Sequence, residues 1–302
     1  MSMGVAPECV DCLRRLIRKT VEAASDSPEL RARAARKALE TMERLRDRAP
    51  SPAYVANRFH PVIQEVCGNR DPFAASKVRE METARRLAVR YAPGPGFSLR
   101  EGLLFSALGN ALDFFRPAEE MEPWLENPPP LELDRTGLLE ERLAGGKRRV
   151  VWLADNAGEV FFDRPAVEEL ARRGHRVAYA VKGGAVQNDL TLEDFERRGP
   201  KGFCCQVAST GAATVGLELD RASPAFRKLF RGADWIVAKG MGHFETLWWQ
   251  RDPRVFLLLM AKCGPVARAL GVAANGLAAG FASGGSVAGT RQEELGSVEE
   301  GP

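Results

Sequence analysis

The stretch Arg149-Val150-Val151-Trp152-Leu153-Ala154-Asp155-Asn156-Ala157-Gly158-Glu159 decides how the rest of the chain is read. From Val150 to Ala154 it is continuously apolar, without the alternation of a strand that faces water on one side. That pattern predicts a strand buried on both faces, as in a parallel sheet covered by helices. At Asp155 the run changes to carboxylate, amide and glycine. Ligands of open parallel sheets bind at the carboxyl ends of the strands, so this one segment predicts both an α/β fold and the edge where chemistry belongs.

Working outward, the same grammar repeats downstream. A helix is expected next, to about Arg173, then apolar runs at Arg176–Val181, Phe203–Ala208, Ala233–Ala238 and Arg254–Met260, with a helical stretch at Leu192–Arg198. Upstream the pattern is helical from Glu8 to about Trp124. Leu30, Ala34, Ala38, Met42 and Leu45 recur at three- and four-residue steps. A further helix is expected over Ala74–Tyr91, stopped by Pro93-Gly94-Pro95-Gly96. Another opens at Ser98, where Ser98 and Glu101 read as a capping box before an apolar stretch to Phe115. Asn127-Pro128-Pro129-Pro130 cannot continue a helix and marks a boundary. The expected organisation is a helical N-terminal domain over residues 1–126, an α/β domain over 127–281 with a mainly parallel sheet, and a disordered Gly/Ser-rich and acidic tail over 282–302.

Composition narrows the class. The 302 residues carry 43 Lys+Arg against 40 Asp+Glu, a formal charge of +3 that suggests no nucleic-acid surface. No apolar run is long enough to span a bilayer; Val255–Ala261 stops at Lys262. The first residues hold Glu8 and Asp11 without an apolar core, so no secretory signal is expected and the chain reads as cytoplasmic. Six cysteines are too few for a disulfide scaffold. Cys67, Cys263 and the adjacent Cys204 and Cys205, which sit in an apolar run, are expected to be core thiols. Cys9 and Cys12 have a spacing that suits a metal or a redox pair, but the sequence has no second such pair to complete a structural zinc site.

The residues after each expected strand share a character. Asp155-Asn156-Ala157-Gly158-Glu159 comes after the first, and Lys182-Gly183-Gly184 with Asn188-Asp189-Leu190-Thr191 after the second. Ser209-Thr210-Gly211 comes after the third, and Lys239-Gly240-Met241-Gly242-His243 after the fourth. Taken singly each reads as a turn or a helix cap; together, on one edge, they read as a site for an anionic ligand. Asp155, Asn156 and Asp189 are hard oxygen ligands suited to a divalent cation such as Mg²⁺ or Mn²⁺. Lys182, Lys239 and the Ser209-Thr210-Gly211 turn suit an oxyanion such as phosphate. A carboxylate-bound metal beside phosphate-binding groups is the arrangement of metal-dependent phosphate-ester hydrolysis. Asn110 and Asp113 share a helix face and either line a cleft between the halves or mark a solvent side. His243 reads equally as a substrate contact or a structural histidine. A Walker loop, a dinucleotide fingerprint and a nucleophile elbow are all missing from the sequence.

These segments resemble the damage-control phosphatases, the metal-binding family also known as domain of unknown function 89 and related to acidic-residue methyltransferase-like proteins. In the helical half the resemblance extends to Cys9-x-x-Cys12, His60-Pro61, Cys67-Gly68-Asn69-Arg70-Asp71-Pro72 and Gly109-Asn110-x-x-Asp113, similar to the prokaryotic branch with an N-terminal CxxC. It runs in order over roughly residues 6–272. It implies a helical domain packed on a Rossmann-like α/β/α domain, with one divalent metal (Mg, Mn, Co or Ni) held by Asp155, Asn156 and Asp189. It further implies that Lys239 holds the substrate phosphate, assisted by Ser209, Thr210 and Gly211, and that Glu159 and Asn110 contact substrate or the metal's water. Asp155 is either a nucleophile or only a metal ligand. The implied partner is a small phosphorylated metabolite, such as a sugar phosphate. His243 stands where this branch usually shows Asn, which bears on substrate preference. Two other readings stand beside it: an S-adenosylmethionine-dependent protein carboxyl methyltransferase using the same edge, and a non-catalytic metal- or metabolite-binding protein with Cys9 and Cys12 as its active pair.

Overall fold

The computed structural model describes residues 3–111 and 121–283. The chain begins with helices α1 (Pro7–Ala24), α2 (Pro28–Leu45), α3 (Pro52–Cys67), α4 (Ala74–Tyr91) and α5 (Leu99–Gly109), then a short α6 (Glu122–Glu126). Strand β1 (Leu131–Asp134) and α7 (Thr136–Ala144) lead into β2 (Arg149–Leu153), α8 (Val160–Arg172), β3 (Arg176–Val181), α9 (Leu192–Arg198) and β4 (Gln206–Ser209). The remainder is α10 (Pro224–Arg231), β5 (Trp235–Lys239), α11 (Gly240–Leu247), β6 (Val255–Met260), α12 (Gly264–Leu270) and β7 (Leu277–Phe281).

The seven strands form one sheet in the order β1-β7-β6-β5-β2-β3-β4. β6, β5, β2, β3 and β4 are mutually parallel, and β7 joins β6 antiparallel. The expected mainly parallel, three-layer α/β/α architecture is what the chain adopts. All six residues of β6 are buried, as its unbroken hydrophobicity requires. Successive residues of β2 serve opposite faces. Val150 and Trp152 pack in the core built with α5 and α8, and Val151 and Leu153 in the core built with α10, α11 and α12.

The helical half divides by packing. Helices α1, α2 and α3 share their own core around Leu13, Ala38, Met42 and Phe59. Met81 of α4 and Leu103 of α5 belong instead to the core of the sheet. The Ser98 capping box forms: Ser98 Oγ accepts from Glu101 N at 3.2 Å, and Glu101 Oε2 accepts from Ser98 N at 2.7 Å.

Several expectations need correction. β4 starts at Gln206, not Phe203, because the apolar Phe203-Cys204-Cys205 stretch packs beside the sheet rather than within it. Cys204 is consequently exposed and Cys205 half-buried, so neither is a fully buried core thiol. Cys67 and Cys263 are likewise only partly buried. The apolar pattern does not predict strands β1 and β7. Asp113, the apolar stretch past residue 111 and the tail beyond residue 283 lie outside the described residues.

In chain order β2, β3 and β4 move to one side, after which β5 returns to the other side of β2. The carboxyl ends of β2 and β5 therefore flank the switch point, where an open sheet leaves a crevice.

Candidate active site

Asp155 and Asn156 leave β2 at this crevice, and the loop after β3 folds across to meet them. Leu190 N donates to Asp155 O at 2.8 Å and Ala157 N to Asn188 O at 2.8 Å, while Asn156 and Asp189 form an isolated antiparallel bridge. The backbone thus places the two carboxylates and the amide side by side. All three residues are buried. The turn from β5 into α11 passes directly over Asp155. Gly240 has φ +74°, and a Cβ there would stand 1.8 Å from Asp155 Oδ2, so only glycine serves at that position.

Electrostatics make the pair costly on its own. Burial, reinforced by Asp189, pushes the Asp155 carboxyl up to about 7. Burial also raises Asp189, against the pull of Lys182. Asp189 Oδ2 makes no hydrogen bond, although Lys182 Nζ lies 3.3 Å away at ion-pair distance. Two buried carboxylates that oppose each other's ionisation, one with an unsatisfied oxygen, are what a cation would relieve. Among the described residues no group of three or more His, Cys, Asp and Glu is arranged to hold a metal. A cation here would take Asp155, Asp189 and the amide oxygen of Asn156, leaving positions for water and substrate.

Around this trio lies a buried polar network. Asn110, capping the end of α5, donates through Nδ2 to Asp155 Oδ2 at 3.2 Å and to Glu159 Oε1 at 2.7 Å, and accepts from Met260 N at 3.1 Å. Asn156 Nδ2 also donates to Glu159 Oε1 at 2.8 Å. Burial pushes Glu159 up to about 7, although Lys239 opposes the rise.

Lys239, which the resemblance makes a phosphate holder, lies within this buried network. It has 0% exposure, and its Nζ donates to Ser106 O at 3.0 Å, Glu159 Oε2 at 2.6 Å and Asp163 Oδ1 at 2.7 Å. An ammonium has three protons, so all are spent on protein. Burial alone would pull this lysine down, but Asp163 and Glu159 hold it above its usual value. Asp163 in turn accepts from Ser106 Oγ, Trp152 Nε1 and Tyr179 OH.

Lys182 is similarly enclosed. Its Nζ donates to Gly216 O at 2.7 Å and lies 3.4 Å from His243 Nε2. His243 Nδ1 lies 2.7 Å from Lys239 O, which fixes the proton on Nδ1 and leaves Nε2 as acceptor. Burial and then Lys182 hold His243 well below its usual value. The Ser209-Thr210-Gly211 turn packs against Gly183, and its amides are used internally: Thr210 N donates to Val181 O and Gly211 N to Ser209 Oγ.

Reasoning from the sequence missed Asp163, Glu80 and Lys262. Lys262 stands just past β6 and is only partly buried, and its charge acts on both Asp155 and Glu80. It is the first polar residue beyond the fifth expected strand, so the strand-end signal that marks the other four sites reaches it too. Asp163 stands one helical turn after Glu159, a spacing that gains meaning only once β5 is known to lie beside β2.

Comparison with known proteins places this geometry among relatives. The damage-control phosphatase ARMT1-like domain matches residues 5–277. A damage-control phosphatase of Pyrococcus horikoshii is 32% identical over 277 residues, covering 89% of this chain and 95% of that protein. One from Archaeoglobus fulgidus is 30% identical, with 89% and 96% covered. The crystal structure of a DUF89 family protein from Pyrococcus horikoshii superposes with a TM-score of 0.84 at 31% identity, covering 92% of this chain and 98% of that one.

Proposed function

Because this chain belongs to the damage-control phosphatase ARMT1-like family, we propose that it hydrolyses small phosphate monoesters with a divalent cation held by Asp155, Asn156 and Asp189. The observation that carries the reading is the buried Asp155–Asp189 pair at the sheet's switch point, with Asp189 Oδ2 lacking a hydrogen bond. When bound, the cation supplies Lewis-acid neutralisation of the phosphoryl oxygens. Asn110 holds one Asp155 oxygen in place, and Glu159 does the same for the amide of Asn156. Lys239 neutralises Glu159 and Asp163 behind the site and keeps that network in one geometry. Lys262, partly exposed at the end of β6, takes the phosphate-holding task, because its charge already reaches Asp155.

Sugar phosphates are the substrate class proposed, with Mg²⁺, Mn²⁺, Co²⁺ or Ni²⁺ as the cation. The test is hydrolysis of p-nitrophenyl phosphate and a sugar-phosphate panel after chelation and re-addition of each metal. Metal-restored activity that Asp189→Ala abolishes is expected. Activity that survives chelation, or an unimpaired Asp189→Ala, would refute the reading.

A further inference from the structure

We propose that Glu80 is a positioning residue that sets the spacing between the two loops carrying Asp155, Asn156 and Asp189, an inference that rests on those three residues holding the cation. Glu80 lies on α4, in the helical half of the chain, and takes part in none of the motifs at the strand ends. Its Oε1 accepts from Gly158 N at 3.0 Å, on the loop after β2. Its Oε2 accepts from Asn188 Nδ2 at 2.8 Å, on the loop after β3. One carboxylate thus spans both loops at the point where they meet. Gly158 is two residues from Asn156, and Asn188 is adjacent to Asp189. A shift of either loop would therefore move a ligand.

The close approach is built into the sequence. A Cβ at Gly158 would stand 3.0 Å from both Glu80 Cγ and Ala84 Cβ, so glycine lets α4 come near enough for the carboxylate to reach the Gly158 amide. Both partners of Glu80 are donors, and a carboxylate supplies the two acceptors they need. Its hydrogen bonds go to residues flanking the ligands, so Glu80 acts through them, as the outer partners of metal ligands do. The helical half contributes two more pins to the same loop: Gln64 Nε2 donates to Ala185 O at 3.0 Å, and Gln187 Nε2 lies 3.3 Å from His60 Nε2. Gln187 holds φ 46°, a left-handed backbone uncommon outside glycine, two residues before Asp189.

The experiment is Mn²⁺ binding to the full chain, read from the electron paramagnetic resonance of free Mn²⁺ after chelator treatment. It compares wild type with Asp189→Ala, Glu80→Ala, Asn188→Asp and the double variant Glu80→Gln/Asn188→Asp, with circular dichroism confirming folding. Glu80→Ala and Asn188→Asp are expected to weaken binding by about 10- to 100-fold. The double variant exchanges donor and acceptor at unchanged net charge: the introduced glutamine keeps an oxygen for Gly158 N and donates to the new carboxylate. It is expected to recover most of the loss seen in Asn188→Asp alone. Wild-type affinity in a folded Glu80→Ala, or a double variant no tighter than Asn188→Asp, overturns the role of Glu80. Should Glu80→Ala fail to fold, the Asn188→Asp comparison decides. Wild type that binds no Mn²⁺, or Asp189→Ala that binds as well as wild type, overturns the cation site itself and this proposal with it.

Discussion

At the residue scale, Lys239 is sealed inside the buried polar network, while Lys262 is partly exposed and acts on Asp155 through its charge. Lys239 is sealed between two carboxylates, so its removal leaves Glu159 and Asp163 buried without their cation. Breaking such a pair costs about 3–5 kcal/mol. Lys239→Met is therefore expected to lower stability by that order in chemical denaturation, with activity falling alongside. Lys262→Ala is expected to leave the unfolding midpoint close to wild type while raising KM for a phosphate ester by about tenfold, the equivalent of ~1.4 kcal/mol. The opposite pattern, a stable Lys239→Met and an unfolded Lys262→Ala, would reverse the assignment.

Elements connect these residues to the fold, and two of them make separable contributions. α5 starts at the Ser98 capping box and ends at Asn110, so the cap at one end supports the amide that meets Asp155 and Glu159 at the other. Ser98→Ala is expected to cost about 1 kcal/mol in denaturant unfolding. α3 carries His60, which burial holds down to about 3. Below the unfolded value of about 6.5 the unfolded chain takes up a proton that the folded chain refuses, so stability is lost as pH falls from there toward 3. Between about pH 6.5 and 5 that single proton is worth roughly 2 kcal/mol. His60→Gln is expected to remove that part of the pH slope, measured by urea unfolding at several pH values, and an unchanged slope would contradict it.

The parallel strands β2, β3, β5 and β6 were legible because each is a largely continuous apolar run, which a doubly covered strand buries, whereas β4, Gln206-Val207-Ala208-Ser209 with no buried residue, was misplaced. β7, with Ala278-Ala279-Gly280 at its centre, and the four-residue β1 give no such signal. The clustering of Asp155, Asn156 and Asp189 was legible because they follow strand ends, where an α/β sheet binds. The commitment of Lys239 was not, since it depends on α8, β5 and α5 meeting in space.

On the scale of the whole molecule, the near-neutral charge of +3 comes from buried opposites as well as surface pairs. Lys239 with Glu159 and Asp163, and Lys182 with Asp189, are buried on both sides, and the buried Lys77 pairs with the partly buried Asp71 and Asp194. Lys77 joins α4 to the start of α9, and Glu80, one turn on, joins α4 to the two ligand loops. The helical half is thereby a brace for the strand-end site. Cys9 is buried and Cys12 exposed in the first turns of α1. Burial, with Glu245, Cys263 and Cys12, pushes the Cys9 thiol up to about 11, so it is protonated at neutral pH and poorly suited to thiolate chemistry. The central claim is that Asp155, Asn156 and Asp189 hold one divalent cation. Anomalous diffraction from crystals soaked in Mn²⁺ tests it most directly. One peak is expected within about 2.0–2.4 Å of an oxygen from each of the three side chains. A crystal of active enzyme with no peak there, or with its peak at the cysteines instead, would contradict the account.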